Sequence, residues 1–301
     1  MSGKGALRAG SCSWNYPSWK GLVYDPERFG KRSSGAELLS QYARRYDTVE
    51  VDRWFWSLFG PERVRLPDPA DVEAYGRAVP GDFRFTLKGP NSVTLTHFYR
   101  KEKDDPLRPN SFFLSTEKTA EFLSLLEPIR EKSGPVLFQF EYLNKMKMES
   151  AARFRERFAR FRRDLPEGWT YGLEIRNPRW IDRRFVEWLE ENRIVPVFID
   201  GYWMPPLEET IERCAPLPAG TGTVVIRLLG PDRKEIEKAS GGRWDRIVAP
   251  KDEGLDRLVR IVSRLLEGGT DIYLNVNNHY EGSAPLTIER FRERLRGARG
   301  E

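Results

Sequence analysis

Short apolar runs bounded by glycine, proline, asparagine or aspartate alternate along the chain with longer stretches whose apolar residues recur every three or four positions. The first pattern marks strands and the second marks helices. Eight strands are predicted, at residues 7–12, 48–51, 83–88, 135–140, 170–174, 195–199, 223–228 and 271–276. Helices are predicted at 35–46, 69–78, 117–131, 149–164, 181–192, 207–213, 255–266 and 284–295. Asp68 stands as a cap before Pro69, and Pro285 sits where a first helical turn accepts proline. The seventh unit is the least regular.

Eight alternating strand and helix units in 301 residues favour a closed TIM-like (β/α)8 barrel over an open doubly wound sheet. The absence of a Gly-x-Gly-x-x-Gly after the first strand also counts against a dinucleotide-binding half. Apart from longer loops at 101–115 and 204–222 there is no linker-like composition, so residues 1–301 are expected to form a single domain.

Composition narrows the classes further. With 39% hydrophobic, 12% aromatic and 32% charged residues the chain is neither disordered nor collagen-like. A net charge of +5 over this length permits an anionic ligand but is far from the concentrated patch of a dedicated nucleic-acid binder. Arginine far outnumbers lysine, and glutamine occurs only at Gln41 and Gln139, as a heat-adapted or compositionally biased source would produce. Cys12 and Cys214 are too few for a disulfide framework, and the start lacks the apolar stretch of a secretory signal, so a cytoplasmic location is the expectation. No run approaches the roughly 18–20 apolar residues that cross a bilayer, and no membrane association is expected.

In a barrel of this kind the chemistry sits at the carboxyl ends of the strands. Those ends carry Ser11, Ser13 and Trp14, then Glu50 and Asp52, Lys88, Gln139 and Glu141, Glu174 and Arg176, Asp200, Arg227, and finally Asn275, Asn277 and Asn278. Residues two apart share a face of a strand, so Glu50 points inward while Val49 and Val51 face the helices. Gly172, Glu174 and Arg176 point inward by the same parity. Converging charges must pair or serve a ligand. Glu50, Asp52, Glu174 and Asp200 could be neutralised by Lys88, Arg176 and Arg227 in an ionic layer, or could together form a site.

Several chemistries compete for these residues. Glu174, Asp200 and Asn275 offer oxygen ligands for Mg²⁺ or Mn²⁺, whereas His97 and His279 are too sparse and too far apart for a recognisable zinc site. A glycosidase reading takes two carboxylates as acid and nucleophile, with Trp14, Trp19, Trp54 and Trp56 as stacking platforms. An anion reading rests on Arg227 and on the Gly282-Ser283 turn, whose following helix would aim free amide groups at the mouth, unless Ser283 simply caps it. The helix at 149–164 puts Phe154, Phe158 and Phe161 on one face and arginines on the others, as an exposed outer helix does; a nucleic-acid surface is the sharper alternative. Cys12 is better explained as a small buried residue than as a nucleophile.

The segments 10–26, 48–51, 83–88, 134–140, 174–180 and 277–278 together resemble the YecE-like family, domain of unknown function 72. The resemblance spans nearly the whole chain and implies a TIM-like barrel, similar to that of sugar isomerases and abasic-site endonucleases, but no settled reaction. It marks Trp14, Tyr16, Trp19, Glu50, Lys88, Gln139, Glu174, Arg176, Trp180, Asn277 and Asn278 as site residues. The chain departs from the family after strand two. There Asp52-Arg-Trp54-Phe55-Trp56 replaces an Asn-Ser-x-Phe-Tyr type of segment, and His279-Tyr280-Glu281 follows Asn278.

The leading expectation is an enzyme acting on a phosphorylated or sugar-containing substrate, a hydrolase or a sugar isomerase. Glu174 and Glu50, with Lys88 and Asp200, act as acid, base or metal ligand. Lys88, Arg176 and Arg227 hold an anionic group, and Asn277 and Asn278 position the substrate. The alternative is a non-catalytic binding protein for a nucleotide, a nucleic-acid end or a glycan.

Overall fold

The computed structural model describes residues 4–29, 34–60, 63–100, 102, 104–218 and 220–300. Eight parallel strands form the barrel wall: β1 (Leu7–Ser11), β2 (Thr48–Val51), β3 (Arg84–Lys88), β4 (Ser133–Gln139), β5 (Tyr171–Glu174), β6 (Ile194–Gly201), β7 (Thr223–Gly230) and β8 (Asp271–Val276). Continuous ladders join β2 through to β8 in sequence and then β8 to β1. The helices outside are α1 (Gly35–Tyr42), α2 (Pro69–Ala78), α3 (Thr116–Leu126), α4 (Ala151–Arg163), α5 (Arg183–Glu191), α6 (Leu207–Cys214), α7 (Arg233–Ser240), α8 (Asp252–Glu267) and α9 (Ala284–Arg299). The chain is thus a (β/α)8 barrel, and no helix among the described residues is long and apolar enough to cross a membrane.

The remaining seam, between β1 and β2, closes differently. Cys12 and Glu50 form an isolated bridge, and the Ser13 N–H donates to the Glu50 carbonyl at 3.0 Å. Below it the hydroxyl of Tyr42, reaching in from α1, accepts from the Ser11 N–H at 2.8 Å and donates to the Thr48 carbonyl at 3.1 Å. One side-chain oxygen therefore satisfies a donor of one strand and an acceptor of the other, groups that burial would otherwise leave unpaired. Gly10 permits this close approach, because a Cβ there would run into the Thr48 carbonyl oxygen.

Inside the barrel, side chains stack in layers. Leu137, Val195, Val197 and Val225 pack with Tyr273 toward the amino end. Room for them comes from Gly172 and Gly134, where an added Cβ would sit 2.9 Å from Leu137 and 2.9 Å from Tyr273 respectively. Cys12, Ile199 and Leu229 form an apolar group at the carboxyl end. Between these layers lies a polar one, described below. On the outside, α4 lays Phe154, Phe158 and Phe161 against Phe138 and Phe140, and leaves its arginines toward solvent.

All eight predicted strands are present, and β6 and β7 run two residues further toward the mouth than their apolar runs implied. The predicted helix at 117–131 instead ends as α-helix at Leu126 and continues as a 3-10 turn over Glu127–Lys132, since Pro128 supplies no amide hydrogen. Helix α7 was not anticipated. It is short and mostly polar, and it buries only Ile236 and Ser240, although Asp232 caps it through the Lys234 and Glu235 amides and Gly241 ends it at φ 62°.

Tyr42→Phe removes the hydroxyl while keeping the ring, so it leaves a buried donor and a buried acceptor unmatched at the seam. The expected loss of unfolding free energy is about 1–3 kcal/mol, read in urea as a lower midpoint at unchanged slope. An unchanged midpoint would mean that the seam closes without this hydroxyl.

Candidate active site

The polar layer is organised by Arg227, an inward residue of β7. Its Nε and Nη2 donate to the two carboxylate oxygens of Glu50 on β2, at 2.7 Å and 2.7 Å. Its Nη1 donates to Gln139 on β4 at 3.1 Å and to the carboxylate of Glu174 on β5. Glu174 also accepts from Arg176 Nε at 2.9 Å. On the other side the Asn275 amide of β8 donates to Glu50 at 3.2 Å and to the Thr86 hydroxyl of β3 at 2.9 Å. Glu50 and Glu174 are 0% exposed and Arg227 is 3% exposed.

Charges this deep persist only when paired and hydrogen-bonded. Burial works against ionisation of Glu174, but Arg227, Arg176 and Lys88 outweigh it and hold its carboxyl below the ordinary range. Burial likewise opposes the charge on Arg227, and Glu174 and Glu50 more than compensate, raising its pKa well above the usual value.

Above this layer, at the carboxyl ends of the strands, lies a cavity of about 300 Å³. Lys88, Asp52, Gln139, Arg176 and Asn277 line it, and Phe55 forms part of its wall. Lys88, the last residue of β3, is 9% exposed, and its Nζ sits 3.9 Å from the centre of the Phe55 ring. Burial and then Arg227 lower its pKa, against the pull of Glu50, Glu174 and Asp52. Asp52, one residue past β2, moves the other way: burial raises its pKa, partly offset by Lys88. Neither makes an ion pair within 4.0 Å among the described residues. Other charges at the cavity are committed, Glu141 to Lys147 at 2.7 Å and Arg233 to Glu237 at 2.7 Å. Burial and Glu50 push the Cys12 thiol well above its ordinary range, which leaves it a poor nucleophile.

The backbone at the mouth is strained at two non-glycine residues. Ser13 has φ 87° and Tyr202 has φ 54°, at the ends of β1 and β6. The Ser11 hydroxyl donates to the Ser13 carbonyl at 2.6 Å. Such outliers persist where surrounding contacts over-determine them and gather at functional sites.

A family model described as "Protein of unknown function DUF72" matches residues 8–301. The chain belongs to the DUF72 family. Among solved structures it is similar to a DUF72 family protein from Thermotoga maritima, at 23% identity and TM-score 0.64, covering 96% of this chain and 99% of that one. It is also similar to a DUF72 family protein from Enterococcus faecalis, at 18% identity and TM-score 0.61, covering 100% of both chains. At these identities the likeness carries the fold alone. No curated protein matches the chain.

In this DUF72 protein the residues singled out from the sequence fall into three groups. Glu50, Lys88, Gln139, Arg176, Arg227 and Asn277 line the cavity, and Glu174 lies directly beneath it. Trp14, Trp19 and Trp180 are packing residues. Trp14 donates to the Gly35 carbonyl at 2.7 Å and meets Tyr75 edge-on, Trp19 is fully buried beside Tyr16 and Tyr42, and Trp180 rests on Phe154. Tyr16 stands between these groups, its phenol raised above the ordinary range by burial and then by Asp52. Asn278 has a capping role: its Oδ1 accepts the Ala284 N–H at 2.8 Å at the start of α9. Ser283, which the sequence offered as that cap, stands at the N-cap but makes no side-chain capping bond.

Asp200 lies elsewhere. It accepts from the Tyr280 hydroxyl at 3.1 Å and lines a separate cavity of about 600 Å³ beside α6 and α8. The three residues proposed as ligands for Mg²⁺ or Mn²⁺ therefore do not converge. Both oxygens of Glu174 are held by arginines, Asn275 donates to Glu50 and Thr86, and Asp200 is outside the mouth. The Arg227 guanidinium stands between Glu50 and Glu174, where a cation would have to sit, and no group of three or more His, Cys, Asp or Glu among the described residues could hold a metal ion.

Sequence reasoning passed over Thr86, Tyr99, Tyr202 and Arg233. Thr86 was within reach, since it lies two residues before Lys88 on the same face. Tyr99 and Tyr202 stand in aperiodic loops, and Arg233 opens the unanticipated α7. The exposed large apolar side chains Trp56, Phe59, Tyr99, Tyr142, Met146 and Trp203 all lie in segments that follow the carboxyl ends of strands, and Trp56 and Tyr99 line the cavity.

Arg227→Leu would leave two buried carboxylates facing each other, so a loss of about 3–5 kcal/mol in unfolding free energy is expected at neutral pH. A loss below about 1 kcal/mol in a denaturant titration would show that the pairing contributes little. Asp52 acts in the opposite sense. Its folded pKa is raised above the unfolded one, so it contributes stability below the unfolded pKa that is lost as pH rises through the folded value. Asp52→Asn, with no charge to bury, should therefore gain on the wild type between about pH 4 and about pH 7. Denaturation at both pH values checks this, and an equal offset would contradict the shift.

Proposed function

We propose that this protein is an enzyme whose site is the barrel mouth, and that it binds a small anionic, sugar-like substrate and moves protons on it, with Lys88 and Asp52 as the exchanging groups. One observation carries the reading. In a cavity where the other charges are already paired, a buried amine and a half-buried carboxyl stand without an ion-pair partner among the described residues, with pKa values shifted toward each other. Shifts in these directions bring an amine and a carboxyl closer to the range in which side chains exchange protons with a substrate.

The surroundings support the substrate class. Arg176 is tied to Glu174 through Nε, leaving its remaining N–H groups as a fork for a phosphate or carboxylate. Gln139 and Asn277 suit hydroxyl groups, and the rings of Trp56, Tyr99 and Tyr202 suit the apolar faces of a sugar. Glu50 and Glu174 act in this reading as positioning residues, through Arg227. Asp200 takes no part. A sugar-phosphate isomerase fits this arrangement better than a hydrolase, because isomerisation needs one group to lend and recover a proton.

The aromatic side chains lining the mouth also favour a second reading, a non-catalytic glycan binder, and one experiment separates the two. Ribose 5-phosphate and glucose 6-phosphate are titrated calorimetrically, and incorporation of solvent deuterium into each is followed by NMR. Arg176→Met should weaken binding about 10- to 100-fold, the worth of a charge-assisted hydrogen bond, and Lys88→Met should abolish exchange. Asp52→Asn should retain binding and slow exchange about 10²- to 10⁴-fold. Binding without exchange in the wild type would favour the glycan binder. Binding indifferent to Arg176 would remove the mouth from consideration.

A further inference from the structure

We propose that Lys88 is a nucleophile that forms an imine with its substrate, which makes the substrate an aldehyde or ketone bearing an anionic group. The inference rests on the reading of the mouth as the active site and names the chemical class it takes.

The geometry sets Lys88 apart from the other lysines. An ammonium carries three donors and, when buried, needs acceptors for them. Lys132 shows the usual solution, donating to the carbonyls of Gly76 and Val79 at 2.7 and 2.8 Å. Lys118 and Lys147 find the carboxylates of Glu121 and Glu141. Lys88 is more buried than these, yet its Nζ makes no hydrogen bond among the described residues and meets only the face of Phe55. The carboxylates it might have paired with, Glu50 and Glu174, are clamped on Arg227, and that permanent cation repels an ammonium beside it. Desolvation and a neighbouring cation are the two means by which an amine is kept unprotonated and nucleophilic. The amine lines a cavity of about 300 Å³ that Arg176 also lines.

Asp52 completes the chemistry. The Lys88 nitrogen adds its lone pair to the carbonyl carbon, and the C–O π pair moves to oxygen, which takes the proton of the Asp52 carboxyl. The nitrogen returns one proton to the Asp52 carboxylate, and that proton leaves with the hydroxyl as water while the nitrogen lone pair forms the C=N bond. Amine, carbonyl and one carboxyl proton thus become iminium, carboxylate and water, with no change of oxidation state. The Asp52 carboxylate is then beside an iminium whose adjacent C–H is acidified, and it serves as the base for the proton transfer proposed above.

The test uses glycolaldehyde phosphate with sodium borohydride, which reduces an imine to a stable secondary amine. Intact mass counts the adducts and peptide mapping places them. The expected result is one adduct per chain, on Lys88, formed at pH 7 faster than on the exposed Lys145, since a lowered pKa leaves more of the amine neutral. Lys88→Met, which keeps the unbranched length, is uncharged like the neutral amine and has no nucleophile, should lose the adduct while keeping its circular dichroism and melting temperature. Should that variant not fold, the wild-type map decides alone. Labelling of Lys88 no faster than of Lys145 would overturn the imine. If inorganic phosphate still binds calorimetrically in a manner dependent on Arg176, the reading of the mouth stands without it. If phosphate binding is absent too, both fall.

Discussion

The guanidinium of Arg227, clamped between Glu50 and Glu174, is the constraint on which the barrel interior depends. A barrel of eight strands is normally filled by layers of branched apolar side chains. Here one layer is ionic, and only a residue that is always charged and offers a rigid fork of donors could hold two carboxylates from opposite parts of the wall. Its bonds reach β2, β4 and β5, and through Asn275 they extend to β8 and β3. A slip of one residue in any of these strands would turn its polar side chain out of the layer and leave the others unmatched. The layer therefore specifies register where the apolar layers on either side, built from interchangeable valine, leucine and isoleucine, do not.

The same clamp shapes the chemistry at the mouth. A buried lysine among carboxylates would ordinarily form an ion pair and hold its proton. Because Arg227 takes Glu50 in both its oxygens and shares Glu174 with Arg176, Lys88 gains the repulsion of a nearby cation and only part of the attraction of the anions. The ionic layer and the Lys88 amine left without an ion pair above it are thus two consequences of one arrangement.

How much of this was legible in the sequence follows from which interactions are local. Strands buried on both faces read as short apolar runs, and all eight could be placed; period-two alternation then aimed Glu50 and Glu174 inward. Which carboxylate Arg227 would take could not be read, since it and Glu50 stand 177 residues apart and no local rule connects them. Asp200 shows where parity is silent. Residues 195–199 are apolar throughout, so the run gives no sign that Val195, Val197 and Ile199 face inward and that Asp200 consequently does not. Trp14 and Trp19 carry family motifs, but an indole that fixes a loop and one that stacks on a ligand look alike in sequence. Their burial beside Tyr75 and Tyr42 separates the two roles.

The arrangement also restricts how a substrate can lie. An anion set directly against Lys88 would stabilise its ammonium form and remove the lone pair that the proposed imine requires. An anion set against the free N–H groups of Arg176 satisfies donors that are charged at every accessible pH and leaves the amine unaffected. Arg176 is itself steadied there, with its guanidinium 4.5 Å from the centre of the Tyr202 ring, on a residue whose φ of 54° turns it toward the mouth. In the proposed reaction the carbonyl end faces Lys88 and Asp52, and the anionic end faces Arg176. In that reading, orientation of the substrate depends on the same bonds that hold Glu174, so the strain at Tyr202 and the charge pair in the barrel interior bear on one geometric requirement.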